Sequence, residues 1–172
     1  MRVETARNLF ALAWAASLAY VVSSLAGLPE VVASNFGAGG AAQGFMTRRV
    51  YGVFFVAFSA LLPLVLVSAF TWLPRRFSRF VNVPHRELWL TPELRDTLFR
   101  RLALAGYFVA GAAALFFGAM HALLVDANTH APPRLAQGPF VALLIAFVAC
   151  TLATALGLSL AMRKIPSRGQ RD

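Results

Sequence analysis

Charge and reactive side chains are scarce in this chain. Charged residues make up 13% of 172 and apolar residues 59%, against roughly 25% and 45–50% in soluble domains, which excludes an ordinary water-soluble fold. There is one cysteine, Cys150, set in an apolar run, so neither an internal disulfide nor a cysteine-based metal site can form. The three histidines fall short of the four that a transmembrane dihaem arrangement needs, and only His121 lies near a long apolar run. No glycine-rich loop precedes a helix in the pattern that cradles phosphate, and no nucleophile stands beside a base, Cys150 having no ionisable neighbour. No cofactor is implied, and an enzyme is the least supported class.

What the chain has in quantity is apolar length. Four stretches reach the roughly 20 residues a membrane helix needs: Asn8 to Leu28, Tyr51 to Leu73, Leu102 to Val125 and Pro139 to Met162. Their interiors carry no acidic or basic side chain, so none reads as a proton or ion relay. The predicted fold is an all-α integral membrane domain over residues 1–172, a four-helix bundle with spans at about 8–28, 51–73, 102–125 and 139–162. Ser24 and Ala26 before Gly27 also suit signal-peptide cleavage, but the length of the first run and its Trp14 and Tyr20 favour a retained anchor.

The net charge of +9 would suggest nucleic-acid binding if the basic residues formed one patch; they do not. Thirteen lie on one side of the expected membrane: Arg2 and Arg7; Arg75, Arg76, Arg79, Arg86, Arg95, Arg100 and Arg101; Arg163, Lys164, Arg168 and Arg171. Three lie on the other, Arg48, Arg49 and Arg134. Basic residues resist translocation, so this asymmetry predicts a multi-pass protein of the bacterial inner membrane with both termini cytoplasmic. Residues 29–50 and 126–138 then form outer loops, and 74–101 a cytoplasmic one.

Lipid gives helices no hydrophobic reason to associate, so small residues that allow close approach carry much of the packing. Ala11, Ala15, Ala19, Ser23 and Gly27 recur every fourth position in the first span, as do Ala149, Ala153, Gly157 and Ala161 in the fourth. Gly106, Ala110, Gly111, Ala114 and Gly118 do similar service in the third, while the second is bulkier and holds Pro63. These stripes predict packing within the bundle, with a second copy or a membrane-protein partner as the alternative.

The first outer loop holds Gly37, Gly39, Gly40 and Gly44, which serve either a flexible tether or a segment folded onto the bundle mouth. Val31, Val32, Phe36 and Phe45 favour the folded form. At Leu28, Pro29, Phe36, Gly40, Gly44, Phe45, Thr47 and Arg48 the loop resembles the bacterial membrane family called domain of unknown function 1648. It departs at Asn35, where that family commonly has His, and at Gln43, where an acidic residue is usual, which weakens a metal or proton site there. Asn82 to Leu98, containing NVPHRELWL and TPELRDTL, resembles the cytoplasmic segment of a branch of the same family. Some relatives resemble the immunity protein against the sporulation-delaying toxin of bacilli, which implies a role in resistance or signalling.

In the cytoplasmic segment, Thr91-Pro92-Glu93 has the form of a helix start. Leu88, Trp89 and Leu90 suit the headgroup layer, and Arg75, Arg76 and Arg79 suit anionic lipid headgroups. The same surface, with Trp89 and Leu90 as anchors, is the candidate docking face for a partner.

The one concentration of polar groups is at the outer mouth, where Asn35, Arg48, Arg49, His121, Asp126 and Asn128 face one compartment with Glu30 and His130. Arg48 or Arg49 paired with Asp126 or Glu30, and His121 and Asn128 fixing loop backbone, make a structural network; no metal spacing is recognisable. The expected function is therefore non-enzymatic interaction with protein or lipid, of the immunity or signalling kind. The alternative is a small-molecule or ion binding or permeation protein with its site at the outer mouth. Permeation would have only Ser17, Ser23, Ser59, Ser68, Thr71, Thr151, Thr154 and Ser159 to line its path.

Overall fold

A computed structural model describes residues 1–164; Arg168 and Arg171 of the charge count lie outside the described residues. Among the described residues four helices are long and apolar enough to cross a membrane, the mark of a multi-pass membrane protein. They are α1 (Val3–Ser24), α2 (Arg48–Thr71), α5 (Arg95–Ala127) and α6 (Gln137–Arg163). At 1.5 Å per residue the shortest, of 22 residues, is about 33 Å long, enough for a hydrocarbon core of about 30 Å. Two single-turn helices, α3 (Leu73–Arg76) and α4 (Arg86–Trp89), stand between α2 and α5.

Helix α5 is the centre, packing against α1, α2 and α6, while α1 also meets α2. Its buried face repeats at helical spacing through Ala103, Gly106, Ala110, Ala114, Gly118, His121 and Leu124. A methyl group at Gly106 would collide with the base of the Phe70 side chain, so α5 and α2 can approach this closely only with glycine there. On α2 the inward face repeats every fourth residue: Tyr51, Phe55, Ser59, Pro63. Pro63 lies inside the helix and cannot donate to Ser59 O; beside it the Trp14 indole of α1 donates to Ala60 O at 3.2 Å.

The small-residue stripes of α1 and α6 do not pack within the molecule as expected. Ala11, Ala15, Ala19, Ser23 and Gly27 are exposed, as are Ala149, Ala153 and Gly157. A close contact needs small residues on one partner only, and α5 already supplies them. Helix α1 therefore turns Ala6, Phe10, Ser17 and Val21 inward, with Ser17 against Gly118 and the Phe10 ring 5.9 Å from that of Tyr107. Helix α6 leans on α5 through Phe147, 4.7 Å from Phe116, and buries only Met162.

The expectation of an all-α chain is corrected between α1 and α2. There, β1 (Val31–Phe36) and β2 (Ala42–Thr47) form an antiparallel hairpin in the register Val31↔Thr47, Val32↔Met46, Ala33↔Phe45. Irregularities follow Ala33 and Asn35, and a tight turn closes at Gly40, whose φ of +78° favours glycine. Thr47 ends the strand and caps the next helix, its Oγ1 accepting from Val50 N, so α2 starts at Arg48, inside the expected loop.

At the opposite end the helix start expected at Thr91 is displaced. Helix α5 begins at Arg95, and Thr91 donates its hydroxyl back to Leu88 O at 3.0 Å instead of capping. Residues 81–102 and the end of α6 enclose a second core of Val81, Trp89, Leu94, Leu98, Phe99, Leu102 and Met162.

Candidate functional site

The hairpin and the α5–α6 connection, expected as two separate loops, form a single cap. Asn128, just past the end of α5, lies along the outer edge of β1 and takes the place of a third strand. Its Oδ1 accepts from Ala33 N at 2.8 Å, and its Nδ2 donates to Ala33 O at 3.0 Å and to Leu124 O at 2.8 Å. One side-chain amide thus satisfies the backbone edge that a lone hairpin leaves open. At the other end of the hairpin, Leu135 N donates to Gly40 O at 2.8 Å, and the connection is closed on the end of α5 by Arg134 N donating to Ala127 O at 3.1 Å.

The inward hairpin face, with Val32 buried and Phe36 and Met46 partly so, joins a core of Val21, Leu28, Tyr51, Phe55 and Leu124. The alternation of a strand sends the neighbouring residues outward. Val31 and Phe45 are 58% and 56% exposed.

Below the cap sits His121, fully enclosed at 0% exposure. Its Nε2 lies 2.8 Å from Ser24 Oγ on α1 and its Nδ1 2.8 Å from Tyr51 Oη on α2, so three helices meet at one imidazole. The rings of Tyr20, Tyr51 and Phe55 surround it at 5.0–5.8 Å. Partner capacities assign the tautomer. The Tyr51 O–H, buried with the imidazole as its acceptor, donates to Nδ1; Nε2 then carries the hydrogen and donates to Ser24 Oγ; Ser24 donates onward to Tyr20 O at 2.7 Å. Every group is satisfied.

The remaining sequence candidates are distributed around this node. The Arg48 guanidinium donates to Ala26 O at 3.2 Å and Leu28 O at 2.8 Å, fastening the turn that follows α1 instead of pairing with Asp126 or Glu30. Arg49 and Asn35 are exposed, as is Asp126, whose carbonyl accepts from Thr129 Oγ1 and lies 2.9 Å from His130 Nδ1. His121 and His130 are not brought together, and among the described residues no three His, Cys, Asp or Glu side chains converge. His121 binds side chains, not loop backbone as expected; Asn128 is the residue that holds the backbone. Ser24, Tyr20 and Tyr51 were absent from the sequence candidates. The available signal was that a lone histidine at a span end must find partners when buried.

The expected docking face at the other end is corrected. Trp89 is 0% exposed, and its indole donates to Met162 O at 3.0 Å while the Arg101 guanidinium lies 4.9 Å above its ring and donates to Ala161 O. Both carbonyls belong to the last turn of α6, where a helix leaves its carbonyls without intrahelical partners, so the buried Trp89 serves as an internal cap and not as an exposed anchor for a partner. Leu90 packs against the same core. Arg75 and Arg76 lie over the rings of Phe99 and Phe77 at 5.6 and 5.3 Å, and Arg79 is exposed. Comparison of the chain with protein-family models, curated proteins and solved structures returns no match, so the candidate site stands on its own geometry.

Proposed function

We propose that this is a non-enzymatic inner-membrane protein, with both termini cytoplasmic, that acts by presenting its hairpin cap to a protein partner on the outer face. The observation that carries the reading is the exposed pair Val31 and Phe45, on the outward face of a hairpin whose edge is held by Asn128. An ordered apolar face binds at a smaller entropic cost than a flexible loop. The charge asymmetry of thirteen basic residues to three supports the orientation. The satisfied Ser24–His121–Tyr51 chain supports a role without catalysis.

The resemblance to domain of unknown function 1648, and through it to the toxin-immunity protein, accords with a resistance or signalling role. Permeation is less well supported. Thr71, Thr151 and Thr154 each turn their hydroxyl onto a carbonyl of their own helix, at 2.7–2.9 Å, and so offer no path. The test is a photoreactive benzoylphenylalanine at position 45 or, as a control, at Phe58 on the membrane-facing side of α2, illuminated in native membranes. A discrete protein adduct from position 45 alone is expected. Adducts from both positions alike, or from neither, overturn the reading.

A further inference from the structure

The start of α2 carries two adjoining hollows on the outside of the molecule. One, about 640 Å³, runs down α2 from Arg49 through Phe54, Ala57 and Leu61 to Val65, and its lining is almost wholly apolar. The other, about 570 Å³, lies between α1 and α2, lined by Leu25, Ala26, Gly52 and Val56. Arg49 and Val53 line both, so the hollows are two furrows parted by Val53 with one arginine at their common head. From residue 49 to 65 the first extends about 24 Å along the helix, more than the roughly 15 Å of one leaflet's hydrocarbon.

Arg49 differs from its neighbour Arg48, which is bound to carbonyls of the turn after α1, and from Arg75 and Arg76 at the far end of the molecule, which lie on aromatic rings. The Arg49 side chain is exposed and makes no hydrogen bond, ion pair or ring contact among the described residues. Glu30, whose carbonyl accepts from Arg48 N, pairs with neither arginine. An unpaired cation heading two apolar furrows complements one kind of molecule: an anionic head bearing two alkyl chains.

We propose that Arg49 seats the headgroup phosphate of an anionic diacyl phospholipid, with its chains in the furrows on either side of Val53. Charge complementarity at the head and the length of the furrow identify the occupant.

The test is native mass spectrometry of the full chain in detergent, offered equal amounts of dioleoyl phosphatidylglycerol and dioleoyl phosphatidylcholine. The wild type is expected to retain phosphatidylglycerol about fivefold over phosphatidylcholine, the scale of one arginine near an anionic membrane surface. Arg49→Gln is expected to bring the ratio close to one, and Arg134→Gln, at an exposed arginine on the same side of the molecule, to leave it unchanged. Ala57→Trp, which fills the longer furrow from an exposed position and spares the core, is expected to reduce retention of both lipids. Equal retention by the wild type, an unchanged ratio in Arg49→Gln, an equal loss in Arg134→Gln, or full retention in Ala57→Trp overturns the proposal. Displacement of phosphatidylglycerol by an equal concentration of its deacylated headgroup overturns it too, since that would mark a site for anions alone.

Discussion

The two ends of the molecule both bury an apolar core but differ in what is added to it. At the hairpin end the added ties are polar: a histidine bonded to side chains of α1 and α2, and an asparagine bonded to the backbone of β1, beside the core of Val21, Val32 and Phe55. At the other end the tie is mainly the core itself, a tryptophan and its neighbours closing over the last turn of α6, with two hydrogen bonds from Trp89 and Arg101 to its carbonyls. A tie by burial is spread over many contacts, while a polar tie rests on a few bonds that each depend on geometry. Burial therefore holds the helices at both ends, and the polar ties of the hairpin end set the position of the cap.

The largest expected effect comes from removing the apolar tie. Trp89→Ala should destabilise the chain by about 3–5 kcal/mol, combining a cavity in the core with unpaired carbonyls at the end of α6. Thermal unfolding in detergent would measure it, and limited proteolysis should show cleavage near residue 163 before any in the hairpin. Trp89→Phe keeps most of the volume and loses only the indole hydrogen bond, so it should recover most of the stability. A loss in Trp89→Ala smaller than that in Asn128→Ala would reverse the contrast between burial and polar ties.

Asn128→Ala should cost less in total, about 1–3 kcal/mol for three hydrogen bonds, but should act on one place. Hydrogen exchange is expected to speed up at Ala33 and along β1 while residues 94–102 keep their protection. Asn128→Asp retains an acceptor for Ala33 N but sets an oxygen against the carbonyls of Ala33 and Leu124, so it should restore little. Equal acceleration at both ends would mean that the cap is not an independent unit.

How much of this was legible in the sequence follows the same division. The four long helices could be read because apolar length is local, and each expected span overlaps one of them. The hairpin was missed because its strands are six residues each, with register irregularities after Ala33 and Asn35, and the glycines around Gly40 suit a tether equally well. Trp89 was misplaced because Leu-Trp-Leu beside arginines has the same composition at a headgroup surface as in a small core; only the carbonyls of α6, more than 70 residues away, decide between them. His121 and Asn128 stood out as polar groups at a span end, but their partners did not. Ser24 is 97 residues from His121 and Tyr51 is 70, and no local pattern joins them.

The smallest effect concerns the wall between the two ends. Ser59 Oγ, on the buried face of α2, is the one buried side-chain polar atom among the described residues with no hydrogen-bond partner. It lies two turns from Tyr51, whose hydroxyl completes the His121 chain, and so marks where that polar network stops. A buried hydroxyl without a partner costs desolvation and returns nothing, so Ser59→Ala should leave stability unchanged or raise it by up to about 1 kcal/mol. Thermal unfolding of the variant beside Tyr51→Phe is the comparison to make. Tyr51→Phe should lower stability, because it strips the imidazole of its donor, whereas Ser59→Ala should not. A clear loss in Ser59→Ala would show that the hydroxyl is hydrogen-bonded in the membrane, and the polar network would then reach from the cap toward the middle of α2 instead of ending at His121.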